Sequence, residues 1–266
     1  MTLAETPTTY SLPDGWYIDY QPSATSSNDL ALAVLRQSAG KAEGRCFQVG
    51  EQTKGRGRRG KQWVSKSGDG LYLSIILCPE TARDTWSGLS FVASLAVYKA
   101  LLEFIEDAHI LRLSLKWPND ILYDNRKLAG ILLEASTEGV VIGCGINLAN
   151  APVLGHTNFP PVALDELVMS QLVDSKALAC AVIRQVAELY ATWQTGGMQV
   201  ILKEWRSYCD MEGQSLRIET VKDVITGTYV EIGSRGQLIL RKADGGVVQI
   251  HAGDVEVLRG SDASGN

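Results

Sequence analysis

Three consecutive runs decide the fold: LRLSLKWPND (111–120), ILYDNRKLAGILLEA (121–135) and GVVIGCGINL (139–148). Each is rich in apolar, β-favouring residues, and together they predict three or four strands joined by tight turns. Asp124-Asn125 is typical of a hairpin turn. Because these strands follow one another without helices between them, they favour a mixed or antiparallel sheet over a doubly wound parallel one.

Upstream of these strands, signals for helices and strands alternate. SSNDLALAVLRQ (26–37) places polar caps before an apolar helical period and predicts a helix that begins near Asn28 or Asp29. RCFQVGEQ (45–52) and GLYLSIIL (70–77) predict strands, the second in the interior of the sheet. Apolar residues from Phe91 to Ile105 then recur at helical spacing, so we expect a helix that packs one face on the sheet.

The C-terminal half changes character near Gly213. Helical periodicity from Leu178 to Trp193 and again from Met198 to Tyr208 predicts helices that cover the sheet. Beyond them, short strands between turn residues predict a small β-barrel of about 50 residues. The chain is thus predicted to be α+β, with a catalytic-sized domain at 1–209, a small β domain at 210–259 and a disordered tail at 260–266.

Composition limits the classes of function. The 266 residues are 45% hydrophobic and carry a net charge of −5, which argues against a protein that coats nucleic acid, since such proteins need a broad basic face. Five scattered cysteines without a C-x-x-C pair predict neither a disulfide framework nor a zinc site. Since no secretion signal or membrane-spanning run is evident, we expect a reduced, cytoplasmic protein with no membrane association.

Positive charge is concentrated in GEQTKGRGRRGKQW (50–63), which has five cations, four glycines and one acid. We call this segment the cationic loop. It suits an anion such as phosphate, but by itself it suits nucleic acid or a merely solvated loop almost as well. It matches neither the P-loop nor the dinucleotide-binding pattern. In KWPND (116–120), the proline turn leaves Asn119 and Asp120 at a strand end, where Lys116 and Lys127 are expected to converge.

The ordered set TSSN, GRGRRGKQW, KWPND, KLAGIL and GCGINL resembles the biotin protein ligases. The resemblance implies a mixed sheet like that of class II aminoacyl-tRNA synthetases, followed by an SH3-like β-barrel. It also implies ATP-dependent attachment of biotin, through biotinyl-5′-AMP, to a lysine of the biotin carboxyl carrier protein of acetyl-CoA carboxylase. ATP and Mg²⁺ would be the cofactors, biotin the substrate and the carrier protein the partner, and a homodimer is possible since dimers occur in the family.

The same resemblance implies roles for individual residues. Those implied to contact biotin are Ser26, Ser27, Asn28, Gln52, Arg56, Gly57, Arg58, Lys127, Gly130, Gly143 and Gly145. Those implied to contact the nucleotide are Arg59, Lys61, Trp63, Lys116, Asn119, Asp120 and Asn147. Catalysis is assigned to Arg56, Arg58 and Lys127, and a metal contact to Asp120. Two departures stand out: Ser-Ser-Asn replaces the usual Ser-Thr-Asn, and Lys61-Gln62 replaces Arg-Lys.

Two other functions remain open at this level. Lipoate ligases and octanoyltransferases share the catalytic fold and are the enzymatic alternative. A transcriptional regulator is the second, but Pro7, Pro13 and Pro22 break the short segment before Ser26, so we expect no N-terminal DNA-binding domain and no binding of nucleic acid. We also expect the mutually repelling cations of the cationic loop to keep it mobile until an anion binds.

Overall fold

The structure is a computed structural model that describes residues 11–38, 40–155, 157–168 and 173–258, so the predicted tail lies outside the described residues. A seven-stranded mixed sheet has the strand order β1-β2-β3-β7-β6-β5-β4. Its strands are β1 (Tyr17–Ala24), β2 (Arg45–Gln52), β3 (Gly70–Leu77), β4 (Leu113–Lys116), β5 (Asp120–Tyr123), β6 (Arg126–Ala135) and β7 (Val140–Asn147). Only β1 and β2 run parallel among these pairs, which confirms the predicted mixed sheet.

The run from 111 to 148 forms four strands, as its pattern predicts. Asp124 and Asn125 have φ angles of 48° and 57°, the left-handed values that a tight hairpin turn requires at both central positions. Strand β1 was missed by the sequence analysis. It is an edge strand that pairs only with β2, its residues are mostly exposed, and Pro22 interrupts its pattern, so no apolar alternation announces it.

The two faces of the sheet have different partners, and β3 shows this most clearly. Its residues Leu71, Leu73, Ile75 and Leu77 all join the main hydrophobic core. On the opposite face, Ile76 packs in a smaller cluster with Leu32 and Leu35 of the first helix. Ser74 also lies on that second face, where its hydroxyl contacts Ser27 and Asn28.

The described residues form five α-helices: α1 (Ser27–Gln37), α2 (Leu89–Leu101), the short α3 (Asp107–Ile110), α4 (Ser175–Gly196) and α5 (Met198–Ser207). Helices α1, α2 and α4 pack on the sheet, and α5 packs on α2 and α4. Helix α1 begins earlier than predicted because Ser26 is its N-cap, accepting from the Asn28 amide at 3.3 Å. Helix α2 ends before Ile105 and is buried on nearly all sides. The prediction of a single buried face was too narrow, because α2 packs against α4 and α5 as well as against the sheet.

A second, antiparallel sheet follows α5, with the order β11-β10-β9-β8-β12. Its strands are β8 (Ser215–Glu219), β9 (Val224–Ile232), β10 (Leu238–Arg241), β11 (Val247–Ile250) and β12 (Asp254–Val257). This C-terminal sheet shares the main core with the larger sheet, and the Trp117 indole donates to the Gly236 carbonyl at 2.8 Å. The predicted β region is confirmed, while its closure into a barrel and the 209/210 domain boundary stay predictions.

None of the helices in the described ranges combines the length and apolar character that crossing a membrane requires.

A buried tryptophan tests how α5 is anchored. Trp205 is fully buried, its ring centroid lies 5.1 Å from that of Phe91, and its Nε1 donates to Ser94 Oγ at 2.9 Å. Trp205→Ala should lower the free energy of unfolding by about 3 to 5 kcal/mol, because it leaves a large cavity and removes a buried hydrogen bond. Urea denaturation measures this. Val200→Ala, at a half-exposed position on the same helix, serves as the control and should change stability by less than about 0.5 kcal/mol.

Candidate functional site

A cavity of about 370 Å³ opens on the second face of the larger sheet, away from α2 and α4. The N-terminal turn of α1, the end of β2, the cationic loop and strands β5 to β7 form most of its wall. Residues from the ranges 152–154 and 157–161, together with the edge of the C-terminal sheet, complete it. The cavity therefore lies where both sheets and the cationic loop meet.

Glycines form the floor of this cavity. Gly130 of β6 and Gly145 of β7 are paired across the two strands, and the Trp63 indole lies over both. A Cβ atom at Gly145 would stand 2.5 Å from Trp63 Cε2, and one at Gly130 would stand 3.1 Å from Trp63 Cζ3. One at Gly143 would stand 2.4 Å from Asn28 Oδ1. These positions must be glycine because flat or polar groups approach the backbone directly.

A chain of polar groups forms the wall beside this floor. Ser74 Oγ donates to Asn28 Oδ1 at 2.5 Å and lies 2.7 Å from Ser27 Oγ. The Ser27 amide donates to Gln52 Oε1 at 2.9 Å, and Asn28 Nδ2 donates to Glu134 Oε2 at 2.7 Å. Ser27, Asn28 and Ser74 are all buried, so these hydrogen bonds satisfy groups that water does not reach.

Sequence reasoning missed Ser74 and Glu134. A signal for Ser74 exists, since it is a polar residue in the otherwise apolar run LYLSIIL, and a polar group in a buried strand needs a partner. For Glu134 the only signal is its position in the strand. It lies four residues after Gly130 along β6, and its side chain is therefore on the same face of the sheet.

Asp120 lies between two lysines where three strands meet. Its Oδ1 is 2.6 Å from Lys127 Nζ, and its Oδ2 is 3.1 Å from Lys116 Nζ. A register shift between Ile121 and Leu122 places Lys127 on the same face as Gly130, although the two residues are three positions apart in the sequence. The sequence prediction that two lysines and an acid converge at one end of the sheet is confirmed.

The charges of this triad depend on one another. Burial raises the pKa of Asp120, but Lys127 and Lys116 outweigh it and hold that pKa well below its usual range. Burial lowers the pKa of the Lys116 ammonium, and the Asp120 carboxylate opposes that shift. The triad therefore carries one net positive charge toward the cavity as long as both lysines stay protonated.

Most cations of the cationic loop have partners within the protein. Arg56 pairs with Asp29 at 2.7 Å and with Glu134 at 3.2 Å, while Arg58 Nη1 donates to Asn119 Oδ1 at 3.1 Å. These partners offset the repulsion on which the expectation of a mobile loop was based. That expectation stays a prediction.

All the sequence-predicted site residues line the cavity except one, Arg59. Its guanidinium donates to the carbonyls of Glu219 and Thr220 at 2.7 and 2.9 Å, on the C-terminal sheet. Asn147 lines the cavity, but its amide is tied to the carbonyls of Lys127 and Val162. It therefore holds strand β7 to the segment that closes the cavity.

Two further parts of the wall were not predicted. Phe159 places its ring centroid 4.5 Å from Lys116 Nζ, a cation–π contact that helps to hold a buried ammonium. The C-terminal sheet contributes Arg217, Glu219, Asp254 and Glu256. Neither part could be found locally, because both are far from the site motifs in sequence.

The residues present do not fit a resident metal ion. No group of three histidine, cysteine or acidic side chains suited to a metal occurs within the part of the chain that the structure describes. Asp120, the predicted metal contact, already has a lysine ammonium on each carboxylate oxygen. A divalent cation at this carboxylate would face two like charges.

Comparisons with known proteins agree with one another. The model of the biotin/lipoate A/B protein ligase family matches residues 20–147. A bifunctional ligase/repressor BirA from Bacillus subtilis is 30% identical over 253 residues, covering 91% of this chain and 74% of the relative. A biotin–[acetyl-CoA-carboxylase] ligase from Paracoccus denitrificans is 35% identical over 203 residues, covering 72% of this chain and 81% of the relative.

Solved structures show the same fold. A biotin protein ligase from Aquifex aeolicus in complex with biotin and ATP superposes with a TM-score of 0.74 at 24% identity, covering 91% of this chain and 98% of that one. A biotin protein ligase from Leishmania major in complex with biotinyl-5-AMP gives a TM-score of 0.63 at 25% identity, covering 88% and 98%. The predicted fold class is thereby confirmed.

Removing the central carboxylate tests the charge triad. Asp120→Asn leaves the buried Lys116 and its neighbour Lys127 without their counter-ion, so the free energy of unfolding at pH 7 should fall by about 3 to 5 kcal/mol. Because the folded pKa of Asp120 lies below its ordinary value of 3.8, its stabilisation is present above that value and is lost as the pH falls through the folded pKa. Wild type and variant should therefore converge in acid. Urea unfolding at pH 7, pH 4 and pH 2 measures this: the difference should hold between pH 7 and pH 4 and shrink between pH 4 and pH 2, and a difference at pH 2 as large as at pH 7 would contradict it.

Proposed function

The chain belongs to the biotin/lipoate A/B protein ligase family, and we propose that it attaches biotin to a lysine of a biotin carboxyl carrier protein at the expense of ATP. The observation that supports this proposal most directly is that one cavity joins a polar, glycine-lined part and a cationic part. A glycine floor with a polar wall lies at one side, and the cations Arg58, Lys116 and Lys127 lie at the other. A flat, polar ring system linked to a carboxylate matches that division.

The polar wall suits the urea group of biotin. A urea offers two N–H donors and one carbonyl acceptor, and Ser27, Asn28 and Gln52 line the cavity with both kinds of partner, while Ser74 holds Ser27 and Asn28 from behind. Gly130 and Gly145 let a flat ring approach the backbone of the sheet, a position that the Trp63 indole takes in this structure, and Gly143 admits the Asn28 amide in the same way. We assign Ser26 a supporting role, since its hydroxyl caps α1 and orients the next two residues.

The cationic side suits the first half-reaction. An oxygen of the biotin carboxylate attacks the α-phosphorus of ATP, the bond to the diphosphate breaks, and biotinyl-5′-AMP forms. Both reactants are anions, so the reaction needs positive charge that is already in place. Lys127 and Arg58 supply it at the carboxylate and the phosphate, and Asp120 fixes Lys127 and Lys116 in position.

We assign nucleotide contacts to Lys61, Trp63, Lys116 and Asn119, all of which line the cavity. Since the protein residues do not fit a resident cation, ATP arrives as its magnesium complex, with the metal held mainly by the phosphates. Arg56 has a different part: bound by two carboxylates, it fixes the start of the cationic loop against α1 and β6.

The second half-reaction needs no nucleophile from the protein. The amine of the carrier lysine attacks the carbonyl of the mixed anhydride, forms the amide and releases AMP. The thiol that lines the cavity, Cys144, is buried in the sheet, and burial raises its pKa to about 12. It is therefore protonated at neutral pH and unsuited to covalent catalysis.

The lipoate alternative is not favoured, because the named relatives and the complexed structures are those of biotin ligases. Incubation of the protein with MgATP, a biotin carboxyl carrier domain and labelled biotin should give a labelled carrier. The same mixture with labelled lipoate or octanoate should give none. Transfer of lipoate to its own acceptor domain, without transfer of biotin, would overturn the proposal.

Lys127 provides the sharpest test of the site. Lys127→Ala should weaken biotin binding at least tenfold, since a hydrogen bond to a charged group contributes about 1.5 to 3 kcal/mol. Isothermal titration with biotin measures this. Arg126→Ala is the matched control, because the neighbouring arginine points away from the cavity and pairs with Glu166 at 2.6 Å. Equal affinities in the two folded variants would remove Lys127 from the site.

A further inference from the structure

The C-terminal sheet contacts the cationic loop at one corner. Asp254 is the first residue of β12 and is paired in register with Glu219, the last residue of β8. The Asp254 carboxylate lies 2.8 Å from Lys61 Nζ and 3.6 Å from Arg59 Nη1. The carbonyls of Glu219 and Thr220 accept hydrogen bonds from the two terminal nitrogens of Arg59, one each. One strand end thus presents three acceptors to two cations of the loop.

The backbone conformation of Arg59 is consistent with this attachment. Arg59 has a φ of 55°, in the left-handed region that residues other than glycine adopt at a cost. Such a conformation persists when its surroundings hold it in place, and the three acceptors around the guanidinium do so here. The turn is closed by the Gly57 amide, which donates to the Lys61 carbonyl at 2.6 Å.

This turn sorts the cations by direction. Arg59 and Lys61 contact the C-terminal sheet, while Arg58, immediately before Arg59, reaches the other way and donates to Asn119 at the cavity. Burial lowers the pKa of the Arg58 guanidinium, and the carboxylates of Asp120 and Asp254 oppose that shift. Asp254 is therefore close enough to act on the cations of the cavity as well as on those that it binds.

We propose that Asp254 is a positioning residue that anchors the cationic loop to the C-terminal sheet and thereby directs Arg58 into the cavity. The anchor is a statement about the structure alone. Its consequence for catalysis rests on the function proposed above: an unanchored loop would leave Arg58 free to turn to solvent, and adenylate formation would slow. The C-terminal sheet would then act on the reaction without contacting biotin.

Hydrogen exchange followed by mass spectrometry tests the anchor in the ligand-free protein, whatever reaction it catalyses. Asp254→Asn should exchange amides in residues 54–63 at least threefold faster than wild type, while Asp254→Glu should stay close to wild type. Glu231→Gln is the control, because Glu231 is an exposed acid of the same sheet and does not line the cavity. Equal exchange in Asp254→Asn and wild type would overturn the proposal.

A partner variant keeps the test valid if Asp254→Asn folds poorly. Lys61 is 69% exposed, so Lys61→Gln should fold normally and should also speed the exchange of the loop. In the double variant the two effects should be less than additive, since both remove one ion pair. Full additivity would mean that the two residues act separately, and the anchor would be rejected.

Kinetics then test the consequence. Asp254→Asn should lower kcat for adenylate formation at least threefold while leaving the Kd for biotin within twofold, because the polar wall and Lys127 do not contact Asp254. Asp254→Glu should restore most of kcat. Faster loop exchange with unchanged kcat would overturn the positioning role. If the wild-type protein forms no biotinyl adenylate, the proposed function is refuted. The hydrogen-exchange data would still test whether Asp254 anchors the loop.

Discussion

The alternation of side chains along the larger sheet is the constraint from which the site follows. Leu71, Leu73, Ile75 and Leu77 are committed to one dry core, so Ser74 between them must face the other side. The same rule places Gly143, Gly145 and Asn147 of β7 on that side together. The core face is filled by α2 and α4, and the second face is covered only partly, by α1. A cavity bordered by backbone and polar groups is the result.

Charge in this cavity is held by the protein before any ligand arrives. Asp120 orders two lysines, Asp29 and Glu134 order Arg56, and Asn119 orders Arg58. Each partner weakens the attraction between its cation and a bound anion, but it also fixes the position of that cation. For a reaction between two anions, fixed and partly desolvated charge is more effective than mobile charge in water.

The cationic loop connects parts of the molecule that the sequence separates widely. Arg56 ties it to α1 and β6, Arg58 to the turn between β4 and β5, and Arg59 to the C-terminal sheet. These partners belong to helix α1, the larger sheet and the C-terminal sheet. The loop thus links the C-terminal sheet to the cavity on the larger one.

Local sequence by itself determined most strands and helices and the hairpin at Asp124-Asn125, because periodicity and turn chemistry are local properties. The ordered motifs also indicated residues that line the cavity, Arg59 excepted. Only the tertiary structure decided the rest. Edge strand β1 has no apolar alternation to announce it, and the register shift that turns Lys127 toward Gly130 depends on how β5 and β6 pair. The partners of Arg59 and the place of Glu134 depend on contacts between residues from 78 to 161 positions apart. Local patterns carry no information on such pairings, since packing across the whole chain selects them.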